Sequence, residues 1–176
     1  MIYKTTYQSP IGLMTLASDG INLIGLWNFN QKYHGEELFV LMKTNDDLMV
    51  FKQTKNLLNQ YFLGENPDFS KLSLKPVGSE FRQLVWKILC EVPYGQTITY
   101  GQIGKMVAKM TNKKSMSAQA IGGAVGHNPI SVIIPCHRVV GTNGSLTGYA
   151  GGMEMKKWLL NNENVELSHF FEPNNK

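Results

Sequence analysis

Apolar and polar residues alternate over the first thirty positions with the period of two that belongs to half-buried strands. The alternation predicts strands over Met1–Tyr7, Gly12–Ser18 and Ile21–Trp27, separated by Ser9-Pro10-Ile11-Gly12 and by the hairpin-type dipeptide Asp19-Gly20. From Leu48 the period changes to that of a helix. Leu48, Phe51, Leu58, Tyr61 and Phe62 mark one face, with Asn45-Asp46-Asp47 as the cap and Gly64 as the stop. Pro76 and Gly78 then break the chain between Leu72 and Gly78. Beyond the break Ser79 caps a second helix with apolar Phe81, Leu84, Val85, Ile88 and Leu89, and Pro93-Tyr94-Gly95 forms the turn after it.

Two shorter helices follow. Thr97 or Thr99 caps one that carries Tyr100, Ile103 and Val107, and Ser115 or Ser117 starts another over Ala118–Val125. A basic polar loop, Lys109–Lys114, lies between them, so the pair suggests a helix-turn-helix unit with a longer connection than usual. The second of these helices is made almost wholly of small residues. Gly122 and Gly123 each cost it about 1 kcal/mol relative to alanine. Close approach to another surface is one reason to tolerate them; tight packing on a neighbouring helix is the other. The pattern as a whole predicts an α/β fold: residues 1–75 as a small, mainly structural α/β domain, 76–165 as a mainly helical domain, and 166–176 as a polar tail.

Charge sharpens that division. The first 75 residues carry seven lysines and seven acids, whereas residues 76–165 have an excess of five positive charges, so the second domain is the one suited to a polyanion. The 176-residue chain is 43% hydrophobic and 17% charged, as ordinary globular proteins are. No apolar run approaches the roughly 20 residues of a membrane span, and Met1–Thr5 lacks a signal peptide's apolar region. A cytosolic protein is expected, or a nuclear one where there is a nucleus. His34, His127, His137 and His169 are scattered, and Cys90 and Cys136 form no metal-ligand spacing, so neither metal nor cofactor is expected. Cys90 falls on the apolar side of its helix and reads as a core residue.

Cys136 is different. It sits in Pro135-Cys136-His137-Arg138-Val139-Val140-Gly141, after the apolar run Val132–Pro135 and beside two basic residues. An unperturbed thiol is only slightly ionised at neutral pH, and basic neighbours in a shaped turn favour the thiolate that attacks. A buried small hydrophobe is the plainer reading of a lone cysteine.

The flanks decide between them. Phe81–Trp86, Pro93-Tyr94-Gly95, Thr99-Tyr100-Gly101, Ala120–Ala124, Asn128-Pro129, Ile134–Gly141, Gly148–Gly152 and Lys157–Leu160, in this order, resemble the methylated-DNA–protein-cysteine methyltransferases, which repair O6-alkylguanine in DNA. Ser9–Gly12 is similar to that family's opening hairpin. The resemblance implies a ribonuclease H-like first domain, and a second domain with a winged helix-turn-helix-like unit and the Pro-Cys-His-Arg segment. It implies that Cys136 takes the alkyl group irreversibly, in one turnover, from O6-alkylguanine in double-stranded DNA. O4-alkylthymine is left open as a second substrate. His137 would take the thiol proton through a bridging water, Glu163 would orient His137, and Asn128 would pin the backbone beside the active-site strand. Tyr149 would hydrogen-bond the guanine ring, the Val139 and Cys136 carbonyls would accept from its exocyclic amine, and the Ala150 N–H would face O6. Arg138 would line the pocket and brace it electrostatically without touching the base.

A base within a duplex cannot reach a buried thiol, so it must be flipped out of the stack. By the same resemblance, the helix with Ala118, Gly122 and Gly123 would enter the minor groove, and Tyr100 would push the lesion's phosphate round. Gln119 stands where the family's intercalating arginine is expected; it lacks that residue's charge and planar stacking. The loop at about 108–116 is longer than in compact members. The protein is expected to act as a monomer, with several molecules able to sit along one duplex. Two other readings compete: a non-catalytic lesion sensor, in whose relatives tryptophan commonly replaces the cysteine, and a cysteine hydrolase, whose labile intermediate differs from a thioether. The presence of Cys136 argues against the sensor.

Overall fold

The alternating segment folds as expected, into strands β1 (Ile2–Ser9), β2 (Gly12–Ser18) and β3 (Leu23–Asn28). In the computed structural model, which describes residues 1–33, 35 and 41–173, they join β4 (Met42–Thr44) in a sheet of order β3-β2-β1-β4. β1 pairs antiparallel with β2 from Tyr3↔Ser18 to Ser9↔Gly12, and parallel with β4. Strand β3 starts two residues later than the alternation predicts. The Asp19 carboxylate accepts from the N–H groups of Ile21 (3.1 Å) and Asn22 (2.7 Å), which keeps both residues in the turn.

Helix α1 (Met49–Phe62) buries Val50, Phe51, Thr54, Leu58 and Tyr61 and ends before Gly64. Its predicted cap is a correction. Leu48 occupies the cap position and makes no side-chain bond, while Asp46 accepts the hydroxyl proton of Thr5 on β1 and Asp47 pairs with Lys52 at 3.0 Å. The carboxylates are used sideways, so none reaches the first turn.

These elements form one compact unit, Met1–Val77, which also takes in Pro129–Ile133. The short segment lies along β3: the Leu26 N–H donates to Pro129 O at 2.8 Å and the Ser131 N–H to Leu26 O at 2.9 Å. Residues 73–75 bridge the same strand near Leu23, so the β3 edge is covered at both ends.

The second unit comprises Gly78–Asn128 and Ile134–Lys176. Ser79 caps α2 (Glu80–Cys90) through the Arg82 N–H at 3.3 Å. The buried stripe is Val85, Trp86, Ile88 and Leu89, rotated from the predicted one because the Trp86 indole donates to Ala124 O at 2.8 Å. Cys90, expected in the core, is exposed at the helix end. Thr99, not Thr97, caps α3 (Tyr100–Met110) in a reciprocal box with Gln102, and Ser117, not Ser115, caps α4 (Ala118–Gly126). α4 packs on α2 and α3. β5 (Ile98–Thr99) pairs parallel with β6 (Val139–Val140), and α5 spans Met153–Asn162.

The segment after 165 does not stand apart as a polar tail. Val165, Leu167 and Phe170 pack on Val140, Leu146 and Leu160, and Phe171 bridges Ser145. Residues 174–176 of the predicted tail lie outside the described residues. Among the described residues no helix is long and apolar enough to cross a membrane.

Gly25 offers a direct check on the packing of the first unit. A Cβ there would stand 1.9 Å from the Trp27 ring, two residues on along β3, and that ring is only 2% exposed. Gly25→Ala is expected to cost about 1–3 kcal/mol through overpacking, read as a lower midpoint in thermal or urea unfolding.

Candidate active site

Three local features build the site. Pro135 (φ −82°, ψ 65°) makes a tight turn, closed by the Cys136 N–H on Ile134 O at 2.8 Å, that leads into a short 3₁₀ turn, Cys136–Arg138. Asn128 follows the end of α4. Helix α5 supplies the third feature: Lys156, Leu159, Leu160 and Glu163 recur at i, i+3, i+4 and i+7, and all four are buried.

The Cys136 thiol is buried, and the Asn128 amide donates one hydrogen to Sγ at 3.1 Å and the other to Ile134 O at 2.7 Å. Burial pushes the thiol pKa up, while the Asn128 hydrogen bond and the Lys156 charge pull it down; the outcome is a raised pKa and a protonated resting thiol.

Next to it, His137 Nε2 meets Glu163 Oε1 at 2.6 Å. Arg138 donates to the same carboxylate through Nε (2.9 Å) and Nη2 (3.1 Å), and the Gly95 N–H adds a fourth donor at 3.1 Å. Burial alone would raise the Glu163 pKa; the hydrogen bonds from His137 and Arg138 and the Arg138 charge overcome it and hold the carboxyl at about 2. An ionised carboxylate only accepts, so the proton of a neutral imidazole sits on Nε2 and Nδ1 has the basic lone pair. Burial also lowers the His137 pKa despite Glu163, which keeps the ring neutral.

Arg138 therefore faces Glu163 and, at 2.6 Å, the Val92 carbonyl. Its Nε, Nη1 and Nη2 are all used in these bonds. Lys156 was absent from the candidates. It is fully buried, and its ammonium donates to Val139 O and, at 2.9 Å, to Thr147 O. Burial brings its pKa down to about 8. A lysine on the apolar stripe of a helix was the signal that could have found it.

Val139 O thus already holds one donor, and Cys136 O accepts the Val139 N–H. Each carbonyl retains a second lone pair. Tyr149 and Ala150 lie in the turn that the Gly152 N–H closes on Tyr149 O at 3.0 Å. The Tyr149 hydroxyl is buried without a hydrogen-bond partner among the described residues, and burial keeps the phenol well above its ordinary pKa. Tyr100 turns inward, its hydroxyl donating to Thr147 O at 3.2 Å with its pKa pushed up to about 12 by burial. Gly148 permits that approach. Its φ is +70°, and a Cβ would lie 2.8 Å from the Tyr100 oxygen.

Ala118, Gln119 and Gly123 are exposed and Gly122 is half-exposed on α4. A Cβ on Gly122 or Gly123 would meet nothing within 4 Å, so neither glycine is there to let a neighbouring helix approach. Among the described residues no three His, Cys, Asp or Glu side chains gather as metal ligands would; His34 lies outside them.

The two parts of the chain match the two domains of one known family. Residues 2–76 match the ribonuclease-like domain of 6-O-methylguanine DNA methyltransferase, and residues 80–165 match its DNA-binding domain. A methylated-DNA–protein-cysteine methyltransferase of Haemophilus influenzae is 38% identical over 170 residues, 93% of this chain and 87% of the relative. One of Mycobacterium bovis is 41% identical over 161 residues, 91% of each chain. The crystal structure of Mycobacterium tuberculosis OGT in complex with DNA superposes with a TM-score of 0.80 at 38% identity, covering 96% of this chain and 94% of the other.

Glu163 makes the pH dependence testable. Its pKa is depressed from the ordinary 4.5 to about 2, so its ionised form stabilises the fold above pH 4.5, and that stability is lost as pH falls toward 2. Glu163→Gln leaves the buried Arg138 without its counter-charge. It should cost on the order of 3 kcal/mol at neutral pH, and the gap to wild type should narrow as the solution is acidified through that range. Urea unfolding at a series of pH values measures both.

Proposed function

The chain belongs to the 6-O-methylguanine DNA methyltransferase family, and on that premise we propose that Cys136 is its alkyl acceptor, served by His137, Glu163 and Asn128. The protein repairs alkylated DNA by transferring the alkyl group from guanine O6 to its own cysteine. The residue assignment is supported by two buried pairs on adjacent residues of one turn: Asn128 holds the Cys136 sulfur at 3.1 Å and Glu163 holds His137 at 2.6 Å.

The sulfur lone pair forms a bond to the alkyl carbon as the carbon–O6 bond breaks, and the electron pair of that bond leaves on guanine. The thiol proton goes to His137 Nδ1 through a bridging water. The imidazolium so formed is stabilised by Glu163. On the leaving side, negative charge grows at O6 and the ring nitrogens. The Tyr149 hydroxyl, a buried donor that stays protonated, and the Ala150 N–H are the groups that face it; the guanine anion then takes a proton from water, and the imidazolium returns the thiol's proton to the hydroxide so formed. The Lys156 ammonium joins Val139 O to Thr147 O and so holds the walls of the base pocket together. The thioether is stable, so the protein is consumed. A DNA substrate and a thiol that must stay reduced support a cytoplasmic location.

Base flipping falls to α4. Its exposed small residues suit entry into the minor groove, with Gln119 on the intercalating face in place of arginine and Tyr100 turning the lesion's phosphate.

Two outcomes are expected. Incubation with an O6-methylguanine duplex should add one methyl, about 14 Da, at Cys136 and then stop; Cys136→Ser should gain nothing while still binding the duplex. Intact and peptide mass spectrometry decide this, and repeated turnover would exclude the suicide reaction. Gly122→Ala and Gly123→Ala should stabilise α4 by up to about 1 kcal/mol each yet weaken binding to the lesion duplex. Thermal melts beside a fluorescence anisotropy titration would show the opposed signs.

A further inference from the structure

A groove of about 560 Å³ runs between α3 and α4, outside the alkyl-transfer pocket apart from Tyr100. Lys105, Lys109, Lys113 and Lys114 line it together with Thr142, and no acid does. Lys105 and Lys109 stand one turn apart on the exposed side of α3, where like charges repel each other. The connection that brings in the other two lysines is tied down. The Lys113 N–H donates to Ala108 O at 2.8 Å, the Asn112 N–H to Lys109 O at 3.4 Å, and Asn112 takes the left-handed conformation at φ +54°. This is a Schellman-type helix end, and it fixes the turn that brings Lys113 and Lys114 to the same groove as Lys105 and Lys109. Among the described residues none of the four forms an ion pair.

A groove lined by four cations and no acid attracts a polyanionic partner through its phosphates, with no need of base edges. We propose that this groove seats the sugar-phosphate backbone of the duplex beside the lesion, with Lys113 and Lys114 as phosphate contacts contributed by the long α3–α4 connection. The assignment rests on the alkyl-transfer reading above, and it concerns a surface separate from the thiol. Gln119 explains why such a surface has work to do: the intercalating position adds no positive charge, so the lysines of the groove anchor the strand while the base is turned out. The contacts are to phosphate alone, so they hold damaged and undamaged duplex equally.

The test measures the salt dependence of binding for wild type and Lys113→Ala/Lys114→Ala, using an O6-methylguanine duplex and its undamaged counterpart between about 50 and 200 mM salt. Each phosphate contact contributes about 0.9 to the slope of log K against log salt, so the double variant should lose nearly two units of slope on both duplexes. Lys113→Arg/Lys114→Arg should restore them. Transfer from free O6-alkylguanine base, which has no phosphate, should keep the parent rate, and an unchanged melting temperature shows that the fold is intact. A folded double variant with the parent's slope would overturn the proposal, as would one that slows the free base as much as the duplex. If wild type takes no alkyl group from either substrate, the alkyl-transfer reading fails, while the slope still judges the groove.

Discussion

The site depends on one carboxylate kept ionised where burial would neutralise it. Taking a carboxylate out of water costs several kcal/mol, and only a full set of donors offsets this. Glu163 has that set: His137, two nitrogens of Arg138 and the Gly95 N–H. The arrangement ties the Cys136–Arg138 turn, the 95 turn and the end of α5 to a single point. It also sets the charge of the histidine. A buried glutamate paired with histidine alone would favour imidazolium, which cannot accept a thiol proton. Arg138 takes up the carboxylate's charge and opposes protonation of His137, so burial prevails and the ring stays a neutral base.

The thiol is held in reserve by the same logic. Thiolates are the oxidisable form of cysteine, and a nucleophile used once has no second chance if it is oxidised first. Burial keeps Cys136 protonated at rest. The Asn128 hydrogen bond and the Lys156 ammonium nevertheless favour negative charge on sulfur, so they act most strongly as the proton leaves. The groups that favour a thiolate are thus already in position, as the proposed reaction requires, while the resting thiol stays protonated.

Much of this was legible from residue order, and the gaps have definite causes. Strand alternation and helix periodicity located the sheet strands β1–β3 and helices α1–α4. The choice of Thr99 over Thr97 was written in the sequence, because only Thr99 has a glutamine three residues on. The choice of Ser117 over Ser115 had no such mark. Cys136 stood out by its neighbours, and His137, Glu163 and Asn128 entered through the family resemblance; the structure pairs Asn128 with Cys136 and Glu163 with His137. Gly95 N–H and Val92 O did not stand out, since backbone donors and acceptors leave no trace in side-chain identity. Asp46 misled because its partner, Thr5, is distant in sequence. The segment after 165 looked polar by count, yet Leu167 and Phe170 are enough to anchor it.

Helices α3 and α4 break local rules in opposite ways. α4 accepts glycines in its interior although nothing in the unit crowds them, and α3 gathers lysines that repel one another without an acid to relieve them. Neither feature helps the fold, and each is corrected only by something outside the chain. A surface that comes within backbone distance makes use of missing side chains, and a row of anions makes use of unpaired cations. A nucleic-acid duplex has both properties, with a groove floor to be approached and phosphates along its rims. The charges around Cys136 are compensated internally by Glu163, Arg138 and Lys156, whereas the lysines of the groove and the glycines of α4 find no such partner among the described residues. On the function proposed above, that contrast separates the reacting site from the surface that delivers the base to it.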